Sequence, residues 1–478
     1  MRRLSRPKSK KSSRAEPREA IIPAAKKTKL RIRLHFPSDR SIHIGDMRLA
    51  LLTTLWAWSR KAELIATDDL PDALEDLRWL GVTPSQTVET DKKTQLKTLV
   101  DTLVEEGKAY PCYCSSAELR EMPASPLGSP EPVIYDGRCR TLSEGDQKAL
   151  AKAGRKPSIR LRIPDDPSKE LPKRLHTFLP RRTGDFLIFS DGNPTTALSA
   201  AVDDKASETT HTLLQKGDTL RVHQRALVAL AIGSTCPEVS FVPDCEQVTA
   251  AGSTARGWST IGNFRDGGYL PSAVRQMLLE DTIKNLKTTD VKKLAKDFKL
   301  ASLNKNVAKL NLDSLQTANS DVLKSLPEAE RVQAVVDHLE RRGFSFRDHD
   351  LRWKKKFVAT LVEDLSTLSD AETMAALVLT ETVDYERAVA EILREKKTQQ
   401  LITTFEKSIK KGKTSSLNDW KAVLAKFRIS VDVPGRALMI VRMVLTGERR
   451  GPNLAQLLTL LGEDGCRIRL KKARKYKS

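Results

Sequence analysis

The sequence lacks any run of about 18 apolar residues, so it offers no segment that could span a bilayer as a helix. Cysteine is scarce: six cysteines in 478 residues do not form the disulfide framework of a small secreted domain. Cys236, Cys245 and Cys466 are scattered, and we expect them to be reduced thiols. The first fifteen residues lack acidic side chains and the apolar segment of a secretory signal. We therefore expect a protein without membrane spans or structural disulfides.

Basic residues outnumber acidic ones by 82 to 61, which gives a formal net charge of +21. Residues 1–33 hold 13 Lys and Arg but two Glu, so about half of the excess lies there. This charge favours a polyanionic partner, RNA above all, over a merely solubilising surface. The basic arm suits either RNA binding or transit into an organelle. We expect a mitochondrial or other organellar matrix location, with the cytoplasm as the alternative.

The length suffices for roughly three domains. The stretch from Leu30 to Leu52 combines a strand pattern, a tight turn and a helix pattern that recurs through Met47, Leu49, Leu51 and Leu52. A strand followed directly by a helix places the helix N-terminus at the carboxyl edge of a parallel sheet. Unpaired backbone N–H groups and the helix dipole favour phosphate there. The sequence thus predicts a nucleotide site at this turn.

The turn His43-Ile44-Gly45-Asp46 resembles the HIGH element of class I aminoacyl-tRNA synthetases. The resemblance implies that His43 and the backbone at Gly45 contact ATP, since glycine allows the chain to approach a nucleotide closely. The alternative is that His43 only caps the start of the following helix. That helix is predicted to run from Arg48 to Arg60.

The following segment predicts a short buried strand, Leu64 to Ala66, and a helix from Pro71 to Leu80, so strand and helix alternate as in parallel α/β proteins. The phrases LRWLG, EEGKAYPCYC and, near the end, VRMVLTGERRGP resemble the glutamyl-tRNA synthetase family. The resemblance covers residues 30 to 470. It implies a Rossmann-type class I synthetase catalytic domain with a zinc-containing insertion, followed by an all-α stem and anticodon-binding helical domains.

The resemblance divides the chain into seven segments. These are a basic arm (1–29), the first half of the catalytic domain (30–104), an acceptor-binding insertion with a zinc site (105–180), the second half of the catalytic domain (181–268), a helical stem (269–340), anticodon-binding-type helical domains (341–470) and a basic tail (471–478). We expect the chain to be helical from Tyr269 onward, because its apolar residues recur at three- and four-residue spacing.

One constellation has the composition of a metal site: Cys112, Cys114, Tyr135 and Cys139. Three thiolates and a phenol oxygen from two short loops can surround a zinc ion tetrahedrally. The spacing resembles the zinc site of many glutamyl-tRNA synthetases, which lies in the insertion that touches the tRNA acceptor end. We expect structural Zn²⁺ here, and cysteines without metal are the alternative.

The positions that hold glutamate in the family are altered in this sequence. Arg33 stands at the position of a substrate-binding arginine of the family. Thr196 stands where the family has the tyrosine that contacts the amino acid. The arginine expected after Thr210-His211 is absent, and Lys216, slightly out of register, reproduces its bidentate fork poorly. The family's glutamate that would neutralise the substrate ammonium is missing from a shortened loop. Asp68 and Asp69 are the acidic residues that remain there.

The second ATP motif of the family, KLSKRDGA, is also altered. Both of its lysine positions, Ala251 and Thr254, are uncharged, and Arg256 is the remaining candidate for a phosphate contact. Electrostatic contributions of this kind are commonly worth about 3 kcal/mol each, or a hundredfold in rate. Several such losses together predict very little activity.

Basic residues of the helical half are candidates for phosphate contacts, although charged helix faces are usually plain solvated surface. The candidates are Lys354, Lys355, Lys356, Lys410, Lys411, Lys413, Lys471, Lys472 and Arg474. Tyr476 in the tail could stack on a base.

Two functions compete. The first is an inactive homologue that binds tRNA or ribosomal RNA, with ribosomal or other proteins as further partners, for instance in an organellar ribosome or RNA-processing assembly. The second is an active glutamate-tRNA ligase, which would use ATP and Mg²⁺. The structural phrases remain legible whereas the substrate-binding positions are altered, so we favour the first. The retained His43 and Gly45 favour the second.

Overall fold

The computed structural model describes residues 29–36, 42–67, 71–88, 92–122, 135–173, 175, 184–248, 260–380, 383–409 and 414–475. Its strands are β1 (Arg31–Arg33), β2 (Glu63–Thr67), β3 (Gln86–Val88), β4 (Ala109–Cys112), β5 (Ser158–Leu161), β6 (Leu187–Ser190), β7 (Asn193–Pro194), β8 (His211–Gln215), β9 (Glu238–Val242), β10 (Cys245–Val248) and β11 (Ala308–Asn311). Its helices are α1 (Ile44–Ser59), α2 (Pro71–Trp79), α3 (Lys92–Glu105), α4 (Ser116–Arg120), α5 (Glu144–Lys152), α6 (Thr196–Ala206), α7 (Thr219–Ala231), α8 (Ile261–Asp266), α9 (Pro271–Leu279), α10 (Val291–Asp297), α11 (Leu312–Ser325), α12 (Glu328–Arg341), α13 (Leu351–Leu361), α14 (Glu372–Val378), α15 (Arg387–Arg394), α16 (Lys396–Ser408), α17 (Leu417–Ile429), α18 (Pro434–Thr446) and α19 (Leu454–Ala473). Among the described helices, none is both long and apolar enough for a membrane span.

The described strands include a five-stranded parallel sheet in the order β3-β2-β1-β8-β9. The first strand pairs with β2 on one side and with β8 on the other, so Ile32 lies between Leu64 and His211. From β1 the chain first builds outward through β2 and β3, and it later returns to add β8 and β9 on the opposite side. The strand order therefore reverses between β1 and β8. Ligands of open α/β sheets bind at such a reversal.

Helix α1 is buried almost all round. It begins at Ile44, directly after His43, and not at the predicted Arg48. It packs on the parallel sheet with one side and on α9 and α10 with the other. Because both sides face protein, its buried residues include Thr53, Thr54 and even Arg48 in addition to the predicted apolar positions.

The segment between the two halves of the parallel sheet forms an antiparallel sheet, β4-β5-β6-β7. Cys112 at the end of β4 lies opposite Ser158 of β5. Strands β6 and β7 form a hairpin, with Phe189 opposite Pro194. This sheet supports the loops that carry the four residues of the predicted metal site.

The chain after Tyr269 is mainly helical, but the expectation of an entirely helical segment is wrong. Strand β11 pairs in parallel with β10, with Cys245 opposite Ala308. The four residues of β11 bury Ala308 and Leu310 and expose Lys309, a pattern too short to stand out between helices. Its partner lies more than sixty positions earlier in the chain.

The helices form a second core whose largest buried side chains include Phe357, Phe405 and Trp420. The predicted stem, 269–340, contributes to two cores: Leu303, Leu310 and Leu315 pack on the α/β core, whereas Val332 and Leu339 pack in the helical one. The last helix continues through Lys471, Lys472 and Ala473, which the sequence analysis assigns to a tail. Ala473 is fully buried in the helical core, whereas Lys471 is exposed on the same helix.

Candidate active site and cysteine cluster

His43 directly precedes α1, the helix that follows the carboxyl end of β1. Its backbone N–H donates to Oδ2 of Asp46 at 2.9 Å, and the N–H of Asp46 donates to the His43 carbonyl at 3.0 Å. The imidazole Nδ1 of His43 is buried and has no hydrogen-bond partner within the described ranges. Gly45 lies buried in the first turn of α1. The structure therefore places the predicted nucleotide turn at a helix N-terminus beside the sheet.

A cavity of about 180 Å³ lies where the strand order reverses. Five parts of the chain form it: the segment after β1, the start of β6, the start of α6, the end of β8 and the start of α7. Its lining residues are His35, Leu187, Thr195, Thr196, Ala197, Ala200, Leu214, Asp218, Arg221, Gln224 and Arg225. Thr196, which stands where the family has a substrate-binding tyrosine, is one of these lining residues.

Arg33 is almost completely buried beneath this cavity, and its donors are engaged by protein groups. Its Nε donates to Oδ1 of Asp204 at 3.1 Å, its Nη1 lies 3.4 Å from Oδ2 of Asp203, and its Nη2 donates to the Ala200 carbonyl at 3.2 Å. Arg225 of α7 forms a further ion pair with Asp204. The four charged groups form a buried, charge-balanced network that joins β1, α6 and α7. The role of Arg33 in substrate binding stays a prediction.

Sequence reasoning missed the arginines of α7. Arg221 and Arg225 lie one helical turn apart after β8 and both line the cavity. Arg221 pairs with Asp218 at 3.4 Å, and burial raises the pKa of the Asp218 carboxyl above its ordinary value. The i, i+4 spacing of these arginines was the available signal. Lys216, in contrast, lies outside the cavity lining.

The structure brings together the four residues of the predicted metal site. The sulfur atoms of Cys112, Cys114 and Cys139 all lie within 4.8 Å of one another, with Cys114 and Cys139 only 3.5 Å apart. The hydroxyl oxygen of Tyr135 lies 3.6 Å from the sulfur atoms of both Cys112 and Cys114. It also accepts a hydrogen bond from the backbone N–H of Cys139 at 3.0 Å. The predicted constellation is therefore one compact cluster that could hold a metal ion.

Arg160 of β5 contacts two residues of the cluster, Cys112 and Tyr135. Its Nε donates to Sγ of Cys112 at 3.2 Å, and its guanidinium lies 3.7 Å from the centre of the Tyr135 ring. Burial acts to raise the pKa of the Cys112 thiol, but hydrogen bonds, led by the one from Arg160, outweigh burial and lower that pKa. Burial raises the pKa of the Cys114 thiol to about 12 and that of Tyr135 above its ordinary value. A bound cation would favour the deprotonated forms of both groups.

The predicted RNA-binding lysines lie at two places on the helical half. Lys354, Lys355 and Lys356 are half-buried on α13, where Lys355 pairs with Glu328 at 3.2 Å. Burial lowers the pKa of Lys356 below its ordinary value. These three lysines are therefore less exposed than a plain solvated face would be.

The second place is the end of α19. Lys471, Lys472 and Lys475 line an open groove of about 630 Å³ together with Ile468. Arg474 pairs with Glu406 at 2.7 Å and therefore stabilises the packing of α19 on α16. The predicted residues Asp68, Asp69, Arg256, Lys410, Lys411, Lys413 and Tyr476 lie outside the described residues.

The parallel sheet, its reversal-point cavity and the helix N-terminus beside it define an α/β domain of the class I synthetase type. The family model for tRNA synthetases class I (E and Q), catalytic domain, matches residues 30–324, and that for an anticodon binding domain matches residues 328–474. The chain belongs to the E and Q family of class I tRNA synthetases. The fold class and the resemblance derived from the sequence are both confirmed.

Similar proteins agree with this assignment. The chain is 27% identical to glutamate–tRNA ligase 2 of Syntrophus aciditrophicus over 477 residues, which cover 93% of this chain and 98% of the relative. It is 26% identical to glutamate–tRNA ligase 2 of Caldanaerobacter subterraneus over 463 residues, covering 88% and 94%. Among solved structures, it superposes on a glutamate tRNA ligase from Elizabethkingia meningosepticum, crystallised with its amino acid. There the TM-score is 0.54 and the identity 16%, over 94% of this chain and 99% of the other.

Proposed function

We propose that this chain is a catalytically inactive glutamyl-tRNA synthetase homologue that binds RNA, either tRNA or ribosomal RNA. We place it in an organellar matrix, in contact with ribosomal or RNA-processing proteins. The basic arm supports this location, with the cytoplasm as the alternative, and the arm itself lies outside the described residues. The proposal combines a retained synthetase fold with an altered substrate cavity.

The composition of the cavity wall carries the proposal. Counted directly from Thr210-His211, the place of the family's arginine falls at Leu214, which is buried in the cavity wall. Ala197 and Ala200 lie on the same wall. The side-chain carboxylate of a glutamate in the cavity would therefore meet apolar carbon where a guanidinium is needed, and burying an unpaired carboxylate is costly.

A specific observation favours the second candidate, an active glutamate-tRNA ligase. His43 keeps a buried Nδ1 without a partner in the described chain, at the N-terminus of α1. ATP and Mg²⁺ would bind there in that case. Phosphates at a helix N-terminus are stabilised by backbone N–H groups and the helix dipole, so the turn retains one element of an ATP site.

We also propose that the cysteine cluster holds a structural zinc ion. In a tetrahedral site with Zn–S bonds of about 2.3 Å, ligand atoms are separated by roughly 3.8 Å. The distances of 3.5–3.6 Å from Cys112 to Tyr135, from Cys114 to Tyr135 and from Cys114 to Cys139 fit this arrangement, and all three sulfur atoms lie within 4.8 Å of one another. Zinc would join the two loops of the insertion, so Cys112, Cys114, Tyr135 and Cys139 have a structural role in this proposal.

A charging assay tests the absence of catalysis. We expect the purified chain to form no detectable glutamyl-tRNA from tRNA, glutamate, Mg²⁺ and ATP, and to show no glutamate-dependent ATP–pyrophosphate exchange. At least two lost electrostatic contributions of about a hundredfold each predict a rate reduced by about 10⁴ or more. The Syntrophus aciditrophicus relative provides the positive control. Charging by this chain that His43→Ala abolishes would contradict the proposal and support the ligase.

RNA binding should depend on salt through the lysines of α19. Lys471 and Lys475 are exposed in the groove and one helical turn apart. We expect their joint replacement by alanine to weaken tRNA binding and to reduce the slope of log K against log salt by about 1.4 to 1.8. The matched control replaces Lys292 and Lys296, equally spaced and exposed on α10. Equal losses from both pairs would show that the groove has no special role.

A further inference from the structure

The polar end of the reversal-point cavity is formed by the start of α6. Thr195 directly precedes the helix, and the cavity is lined by Thr195, Thr196 and Ala197. The hydroxyl oxygen of Thr195 is buried and has no hydrogen-bond partner among the described residues. An eleven-residue helix carries about half a positive charge at its N-terminus, together with unpaired backbone N–H groups. This end of the cavity therefore favours a negatively charged group.

Arg225 provides an independent indication at the same cavity. The residue is 7% exposed and lines the cavity. Its Nε donates to Asp204, and its Nη2 pairs with the same carboxylate. Its Nη1 is buried and lacks a hydrogen-bond partner in the part of the chain that the structure describes. Because a buried donor without an acceptor is costly, this atom indicates a ligand that accepts a hydrogen bond.

The charges around the cavity limit the ligand to one carboxylate. Arg33 and Arg225 are balanced by Asp203 and Asp204, and Arg221 is paired with Asp218. One additional carboxylate can be stabilised by the α6 N-terminus and Nη1 of Arg225. The rest of the lining includes the apolar side chains of Leu187, Ala200 and Leu214 beside the polar His35 and Gln224. An apolar body is stabilised by these carbon atoms, whereas a second carboxylate packed against them would lose hydration.

We propose that this cavity binds a small monocarboxylate with an apolar body, its carboxylate between the α6 N-terminus and Arg225 and its body against Leu187, Ala200 and Leu214. The volume of about 180 Å³ far exceeds the 10–15 Å³ that one water molecule requires. The inference rests on the proposed function, because the cavity of an active ligase would accept the dicarboxylate glutamate. A free acid and an apolar amino acid share this chemistry.

The test measures binding of isovalerate, valine and glutamate to the full chain by saturation-transfer NMR and calorimetry. We expect isovalerate, valine or both to bind at least tenfold more tightly than glutamate, and the comparison of isovalerate with valine identifies the source of the carboxylate. Ala197→Leu, which fills the cavity, should weaken binding at least tenfold. The matched control is Ala206→Leu, an exposed position on the same helix, which should leave binding unchanged.

A second variant keeps the test valid if Ala197→Leu does not fold. Thr195→Val removes the hydroxyl donor with little change in volume and should weaken binding of the carboxylate ligand severalfold. Absence of binding by both isovalerate and valine, unchanged binding in folded Ala197→Leu, or tighter binding of glutamate would overturn the inference. A different result would contradict the proposed function, namely glutamate-dependent pyrophosphate exchange by this chain. A chain that shows neither exchange nor monocarboxylate binding overturns only the present inference.

Discussion

Replacement of Asp204 by alanine is expected to reduce the stability of the α/β part by about 3–5 kcal/mol, the usual cost of removing one partner from a buried ion pair. Asp204 is 3% exposed and pairs with both Arg33 and Arg225. The substitution leaves two buried guanidinium groups with one remaining acidic partner, Asp203. Hydrogen–deuterium exchange of β1, α6 and α7 in increasing denaturant measures the effect, since it reports the opening free energy of each element.

The matched control for this prediction is Asp384→Ala. Asp384 pairs with Lys472, but its side chain is fully exposed, so the same substitution should leave stability unchanged within error. Similar losses from the two variants would show that the buried network does not contribute more than a surface pair. In that case the proposed charge balance around the cavity would also lose its support.

Replacement of Cys139 by alanine should lower the affinity for zinc more than a hundredfold. Altering a group that merely orients a ligand typically costs 10- to 100-fold in metal affinity, so removal of a ligand should cost more. Cys139 contributes both a sulfur atom beside Cys114 and the backbone N–H that holds the Tyr135 hydroxyl. We expect one zinc per chain in protein purified without chelators, measured by native mass spectrometry. Removal of the metal by a chelator should lower the unfolding temperature of the insertion.

Cys236→Ala is the control for zinc binding. Cys236 is also a partly buried thiol outside any disulfide, but its Sγ donates to the Ala226 carbonyl in the parallel-sheet half, outside the cluster. This variant should keep one zinc ion. A metal-free wild-type chain, or a Cys139→Ala variant that retains zinc, would contradict a structural zinc site and favour the alternative of cysteines without metal.

Local sequence patterns were sufficient for much of the α/β half. The strand β1, the turn at His43 and the following helix are adjacent in sequence, so their pattern reports their geometry directly. The start of α1 was placed four residues too late, because Ile44, Gly45 and Asp46 were assigned to a turn, whereas they form the first turn of the helix. The short strand β11 was missed because its pairing with β10 depends on residues far away in the chain.

The cysteine cluster and the cavity differ in how far the sequence could predict them. The cluster draws its residues from two short loops, and the types and spacing of Cys112, Cys114, Tyr135 and Cys139 already indicate metal chemistry. The cavity draws on five separate parts of the chain. Its altered positions were identified by comparison with the family motifs, but the contribution of Arg221 and Arg225 was not, since no motif marks them.

By itself, the sequence determined the family, the alternation of strands and helices, the turn at His43 and the composition of the cysteine cluster, because each depends on neighbouring residues. The tertiary structure alone decided which charges meet. Asp204 is separated from Arg33 by 171 positions and from Arg225 by 21, so no local pattern connects them. Their meeting follows from the return of the chain beside β1, which buries these groups together. Buried charges must be paired, and that requirement, more than any motif, shapes the cavity.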